Sequence, residues 1–166
     1  QVEEVSLAGL AGLDTQALSM AVYNAEAGLY LESIVEGRSD ELSPNIQRRL
    51  SAPEVSLPEY LEARRALGEL KEDMAAYFQE YDLLLCPTAP IPPHGHGVTE
   101  LVIAGETVTP RNVGRATIPW DITGSPAISM PFAMSSGGLP IGVQIVGRHY
   151  DEATVLRAAA AFERVS

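Results

Sequence analysis

Two apolar runs, at about residues 127 to 131 and 141 to 147, constrain this chain more than any other feature. They flank the loop Ser135-Ser136-Gly137-Gly138, and a helical pattern opening at Asp151 follows the second run. A glycine-rich turn between short apolar runs predicts neighbouring strands, because glycine reaches the backbone conformations that tight turns require. Strands that are apolar throughout need cover on both faces, and a helix placed directly after the second run supplies one cover. The segment therefore commits the chain to an α/β fold in which helices flank a central sheet.

The upstream sequence supplies the remaining helices. Asp14 is positioned to cap a helix running to about Glu36, with Leu18, Val22, Ala25 and Leu29 at helical spacing and Gly37 as the stop. A shorter helix is predicted after Ser43-Pro44, since proline at a first helical position gives up an N–H that has no partner anyway. Ser56-Leu57-Pro58-Glu59 reads as a capping box, and Leu67, Leu70, Met74, Tyr77, Phe78 and Tyr81 then form one apolar stripe.

The strand pattern is sparser. Residues 2 to 7 alternate and predict a short strand, while Leu83-Leu84-Leu85-Cys86-Pro87 predicts a strand buried on both faces. A proline- and glycine-rich loop follows to residue 99. Leu101-Val102-Ile103 and Glu106-Thr107-Val108 around Ala104-Gly105 predict a small hairpin, and a turn or short helix from about Arg111 leads into Pro119.

Charge narrows the partners. The 22 acidic residues outnumber 11 basic ones, for a net charge of −11, which disfavours nucleic acid and anionic membrane surfaces. No apolar run approaches the roughly 20 residues of a membrane span. Cys86 is the only cysteine, so no disulfide can form within the chain and a cytoplasmic setting is expected. The opening at Gln1, without methionine, reads as the start of a segment from within a longer protein, with removal of a tag or leader as the alternative.

No nucleophile and base pair up in this sequence. Ser135-Ser136 lie in a turn between strands, and Lys71 sits among Glu69, Glu72 and Asp73, where a solvated amine stays protonated. His94 and His96 have no nearby cysteine or carboxylate to complete a metal site. His149 follows a strand end and is expected at the surface, and Cys86 reads as a buried thiol with no basic neighbour in sequence. No cofactor or metal site is expected.

Four segments in order carry a resemblance. They are Tyr81-Asp82-Leu83-Leu84-Leu85-Cys86-Pro87-Thr88, Pro119-Trp120-Asp121-Ile122-Thr123-Gly124-Ser125-Pro126-Ala127, Gly138-Leu139-Pro140-Ile141-Gly142-Val143-Gln144, and Asp151-Glu152 before an alanine-rich helix. Together they resemble the C-terminal portion of the amidase signature family, serine hydrolases that cleave carboxylic amides. The resemblance implies a mixed central sheet flanked by helices on both faces, of which residues 1–166 would be the C-terminal segment. It also implies a Ser–cis-Ser–Lys triad upstream of the matched region, since no matching glycine-serine loop occurs here. A serine hydroxyl needs a neighbouring base to become nucleophilic, so the segment alone is expected to be inactive.

By the same resemblance Ile118, Trp120, Asp121 and Thr123 are the candidate substrate-binding residues, with Ile118 and Trp120 as an apolar pocket wall and a plain core role as the alternative. Asp121 stands where many relatives have asparagine, and a turn-capping role through Asx-type bonding to Thr123 or Gly124 is the competing reading. The expected partner is a small-molecule amide. An open sheet margin would invite association with the absent N-terminal part or with a second copy. Two other readings stand beside the amidase: a non-catalytic binding or scaffold module, and the A subunit of the tRNA-dependent amidotransferase. In the latter, the substrate-clamping arginine and aspartate fall at Leu67 and Gly114, neither of which can pair with a charge.

Overall fold

The computed structural model describes residues 2–51 and 53–164, which fall into two compact units. One comprises Ala17–Glu69, and the other Gln1–Gln16 together with Leu70–Ser166. Helices α1 (Thr15–Val35), α2 (Pro44–Leu50) and α3 (Leu57–Glu80) start where the capping residues predict, and α1 stops just before Gly37. The Asp14 carboxylate accepts the Gln16 N–H at 3.1 Å, and Gly37, at φ +72°, follows the end of α1.

At the start of α3 the capping box is complete. Glu59 Oε2 accepts the Ser56 backbone N–H at 2.9 Å, while Ser56 Oγ accepts the Glu59 N–H at 3.4 Å. The Ser56 hydroxyl also donates to Glu59 Oε2 at 2.6 Å, and this bond, with that from the Ser56 N–H, stabilises the charged form, so the Glu59 carboxyl is held below its usual range. Within Ala17–Glu69, Glu26 ties α1 to the first half of α3 by accepting from Tyr60 Oη at 2.7 Å and Arg64 Nη1 at 3.2 Å. Leu18, Ala63 and Leu67 are buried. Leu29, predicted on the same inward stripe as Leu18, is instead 77 % exposed.

The second unit is built on an antiparallel sheet. Strands β1 (Leu83–Pro87), β4 (Ala127–Met134) and β5 (Pro140–Gly147) pair in the order β1-β5-β4, with Leu84 opposite Val146 and Ile128 opposite Ile145. Alternation along each strand separates two cores. On one face Leu84 and Val146 meet Leu70, Met74 and Phe78 of α3 and Trp120; on the other, Met130 and Ile145 meet Val155 and Ala159 of α5 (Glu152–Glu163). Helices thus cover both faces of the sheet, as the apolar runs require.

Two strand expectations change. Residues 2 to 7 pair with no strand among the described residues; Val5 and Leu7 instead pack against the α3 core, and Glu3 accepts from Tyr81 Oη at 2.5 Å. Alternation predicts an extended chain with one inward face, and that face here meets a helix. The bond to Glu3 pushes the Tyr81 hydroxyl up to about 12. The second change is in β1, which is covered on one face only along part of its length. Leu84 is 7 % exposed but Leu85 is 53 % exposed, because β1 lies at a sheet margin where α5 covers Leu83 and not its neighbour two residues on.

Strands β2 (Leu101–Ile103) and β3 (Glu106–Val108) form the expected hairpin, with Ile103 opposite Glu106. Its two-residue turn holds Ala104 at φ +53° and Gly105 at φ +85°. A Cβ at positive φ is unfavourable, and Asn-Gly suits this turn better than Ala-Gly. Ala104→Asn is expected to slow hydrogen exchange of the hairpin amides by about two- to fivefold, equivalent to ~0.5–1 kcal/mol. Unchanged or faster exchange would show that the turn does not limit hairpin stability.

Candidate active-site wall

The segment between β3 and β4 folds into two short helical pieces. A 3-10 turn, Pro110–Ala116, hands over to α4, Ile118–Thr123, with proline at the second helical position. Gly124 ends α4 in the left-handed conformation at φ +76°, and its N–H and that of Ser125 both reach the Trp120 carbonyl at 3.0 Å. A further bond from the Gly124 N–H to the Asp121 carbonyl, at 3.3 Å, completes a Schellman motif. This cap turns the chain directly from α4 into β4, so the Thr-Gly-Ser-Pro sequence sets where α4 sits against the sheet.

The four candidate residues divide between core and surface. Trp120 lies in the α3–sheet core, and its indole Nε1 donates to the Ala116 carbonyl at 2.9 Å. Thr123 is 1 % exposed; its hydroxyl donates to the Pro119 carbonyl at 2.7 Å and lies 2.9 Å from Ser125 Oγ. Both side chains hold α4 in place. Ile118 is half-buried against Gly114, where an added Cβ would come within 3.5 Å of Ile118 Cδ1, and Asp121 is exposed. Among the described residues the Asp121 carboxylate accepts no Asx-type bond; the Asp121 backbone carbonyl serves the cap instead.

A cavity of about 400 Å³ lies beside Pro119 at the start of α4, lined also by Leu10, Leu13, Asp14, Thr15 and Arg115. Its lining mixes Leu10, Leu13 and Pro119 with one acidic and one basic side chain, a mixture that can hold a small polar molecule in one orientation. The N-terminal segment's contribution to this wall carries no motif; only the tertiary fold brings Leu10–Thr15 to Arg115 and Pro119.

The Gly-x-Gln pair of β5 braces the same region. Gln144, 2 % exposed, donates from Nε2 to the Pro87 carbonyl at 3.0 Å and to the Ala116 carbonyl at 2.6 Å. One amide thereby joins the ends of β1 and the 3-10 turn to the central strand. Gly142 leaves room for the hydroxyls of Thr88 and Ser129, which meet at 2.8 Å; a Cβ there would lie 3.0 Å from Thr88 Oγ1. Cys86, next to Gln144, is pushed up by burial, an effect partly offset by a hydrogen bond from Gln144, so the thiol is a poor nucleophile.

The other singled-out residues are placed apart from this wall. Ser135 closes the β4–β5 turn, its Oγ accepting the Leu139 N–H at 3.0 Å. Lys71, His94 and His96 are exposed. His149, expected at the surface, is half-buried with its Nε2 enclosed, because the turn after β5 folds it inward.

Comparison with known proteins places this architecture. The family model described as Amidase matches residues 4–156. The chain is 36 % identical over 148 residues to the A subunit of glutamyl-tRNA(Gln) amidotransferase from Streptococcus gordonii, covering 85 % of this chain and 29 % of that protein. The corresponding protein of Lactococcus lactis is 34 % identical with the same coverage. A solved amidase superposes with a TM-score of 0.86 at 23 % identity, over 99 % of this chain and 38 % of its own. A bacterial aryl acylamidase of the amidase signature family superposes with a TM-score of 0.77 at 22 % identity, over 98 % and 36 %. At those identities the structures speak to the fold alone. The chain spans about 29 % of the length of the curated relatives it matches.

Proposed function

Since this chain belongs to the amidase family, we propose that it is the C-terminal part of an enzyme hydrolysing a carboxylic amide to an acid and ammonia or an amine. The family match over residues 4–156 carries this reading. The nucleophile is a serine activated by a Ser–cis-Ser–Lys triad on residues upstream of the match, and this segment supplies one wall of the acyl pocket. In that wall Ile118 and Asp121 face the amide substrate, while Trp120 and Thr123 fix the position of α4. The distribution of burial supports this division of labour: the two inward side chains satisfy their own polar atoms locally and leave none for a ligand.

The reaction needs both halves of the machinery. Serine attacks the carbonyl carbon, the amine leaves with a proton, and water then releases the acid from the acyl-enzyme. This chain alone is expected to release no ammonia from a panel of simple linear amides. The longer parent protein is expected to do so, and to lose at least about 10⁴-fold in kcat when the upstream triad serine is replaced by alanine. Hydrolysis by the 166-residue chain alone would overturn the reading.

A second reading, a segment of the tRNA-dependent amidotransferase's A subunit, is favoured by the 36 % identity to the Streptococcus gordonii protein. Against it, Leu67 is buried and apolar, and Gly114 carries no side chain, at the positions where the resemblance puts the substrate-clamping arginine and aspartate. Glutamine turnover separates the two: the amidotransferase releases ammonia from glutamine, and an amidase for less charged amides prefers amides without an ammonium group.

A further inference from the structure

A second cavity, of about 450 Å³, lies under the turn after β5 and is lined by Met74, Ala75, Phe78, Ser125, Arg148 and His149 among others. Its polar groups are unevenly satisfied. Arg148 Nη2 donates to the Phe78 carbonyl at 2.7 Å, near the C-terminus of α3, and Ser125 Oγ pairs with Thr123. His149 Nε2 is enclosed and meets no hydrogen-bond partner among the described residues. Enclosed nitrogens without partners are uncommon in folded proteins, and each one needs a physical reason.

The turn that delivers His149 is itself unusual. The Asp151 N–H closes it on the Arg148 carbonyl at 3.1 Å, and Tyr150, with its side chain almost fully exposed, takes φ +62°. Glycine or asparagine ordinarily occupies such a position, so tyrosine there is strained. Strain of this kind persists only where the surroundings impose it, and it gathers at ligand sites. Here it accompanies a histidine turned inward beside an arginine.

We propose that this cavity binds a small organic acid with an apolar body. The carboxylate lies between the Arg148 guanidinium and the His149 imidazole, whose Nε2–H donates to it, and the body rests on Met74 and Phe78. Arg148 retains N–H groups beyond the one given to Phe78, and a planar guanidinium suits a carboxylate. The volume lies within the range of ordinary small-molecule sites, about 300–1,000 Å³. In a chain of net charge −11, this arginine–histidine pair sets the cavity's preference for an anion.

Isothermal titration calorimetry of this chain with phenylacetate, neutral phenylacetamide and cationic benzylamine tests the assignment. Phenylacetate is expected to bind saturably, with the amide and the amine at least about tenfold weaker. Ala75→Trp, on the exposed surface of α3, should block the cavity, and His149→Phe should remove the donor; each is expected to weaken phenylacetate at least about tenfold. Unchanged far-UV circular dichroism would show that the variants still fold, and the His149 ring signals should shift on titration of the unaltered chain. Equal binding of acid and amide, affinity unmoved by both variants, or no saturation by about 10 mM phenylacetate would overturn the proposal and leave the cavity to water. None of these measurements depends on amide hydrolysis, so their failure leaves the proposed activity untouched.

Discussion

Trp120→Ala is expected to destabilise the fold by about 3–5 kcal/mol, a large share of the roughly 5–15 kcal/mol that holds a domain together. Trp120 is 4 % exposed and packs with Leu70, Met74, Phe78, Leu84 and Val146, so truncation opens a void between α3 and the sheet. It also removes the indole donor from the Ala116 carbonyl, leaving that oxygen to Gln144. Trp120→Phe keeps most of the ring and loses only the indole bond, so it should cost about 1–2 kcal/mol. Urea unfolding followed by far-UV circular dichroism is the suitable measurement, because Trp120 is the only tryptophan and its fluorescence disappears with it. A loss below about 1 kcal/mol for Trp120→Ala would place the indole outside the load-carrying core.

The second large effect concerns a glycine with no conformational peculiarity. A Cβ on Gly147 would lie 2.5 Å from Val155 Cγ2 and 3.5 Å from Leu83 Cδ2. Val155 is buried and β-branched, so it has little freedom to move aside. Gly147→Ala must therefore push α5 away from the sheet, at an expected cost of about 1–3 kcal/mol. Gly68 offers a control of opposite sign: it lies within α3, and a Cβ there meets nothing within 4 Å. Gly68→Ala should stabilise by about 0.5–1 kcal/mol, through helix propensity alone. If urea midpoints moved in the same direction for both variants, close approach of α5 would not be what Gly147 provides.

Much of the scaffold was legible in advance, for reasons local to each segment. Asp14, Gly37, Ser56 with Glu59, and Ala104-Gly105 each act on neighbours within a few residues, so their chemistry can be read from order alone. The stripe Leu70, Met74, Phe78 was equally plain, because one helix face recurs at a regular interval. Burial was harder to read where it depends on what lies across space. Leu29 and Leu85 fit their patterns and are nonetheless exposed, since a pattern names the face without supplying its cover. The same limit applies to the candidate site. For Trp120 the sequence left pocket wall and core both open, and α4 turns it inward with Thr123; among the described residues no hydrogen bond to the Asp121 carboxylate caps the turn.

The order of residues by itself determined the helix ends, the hairpin turns, the α/β class and the likeness to amide-hydrolysing enzymes. Each rests on short-range hydrogen bonding, on steric limits of the backbone, or on periodic placement of apolar side chains. Tertiary structure alone decided that Gln144 braces Pro87 and Ala116, that Leu10–Thr15 share a cavity with Arg115 and Pro119, and that His149 turns inward to share a cavity with Met74 and Phe78. Those arrangements join residues tens of positions apart. They come from packing helices and strands against one another, which no local rule encodes.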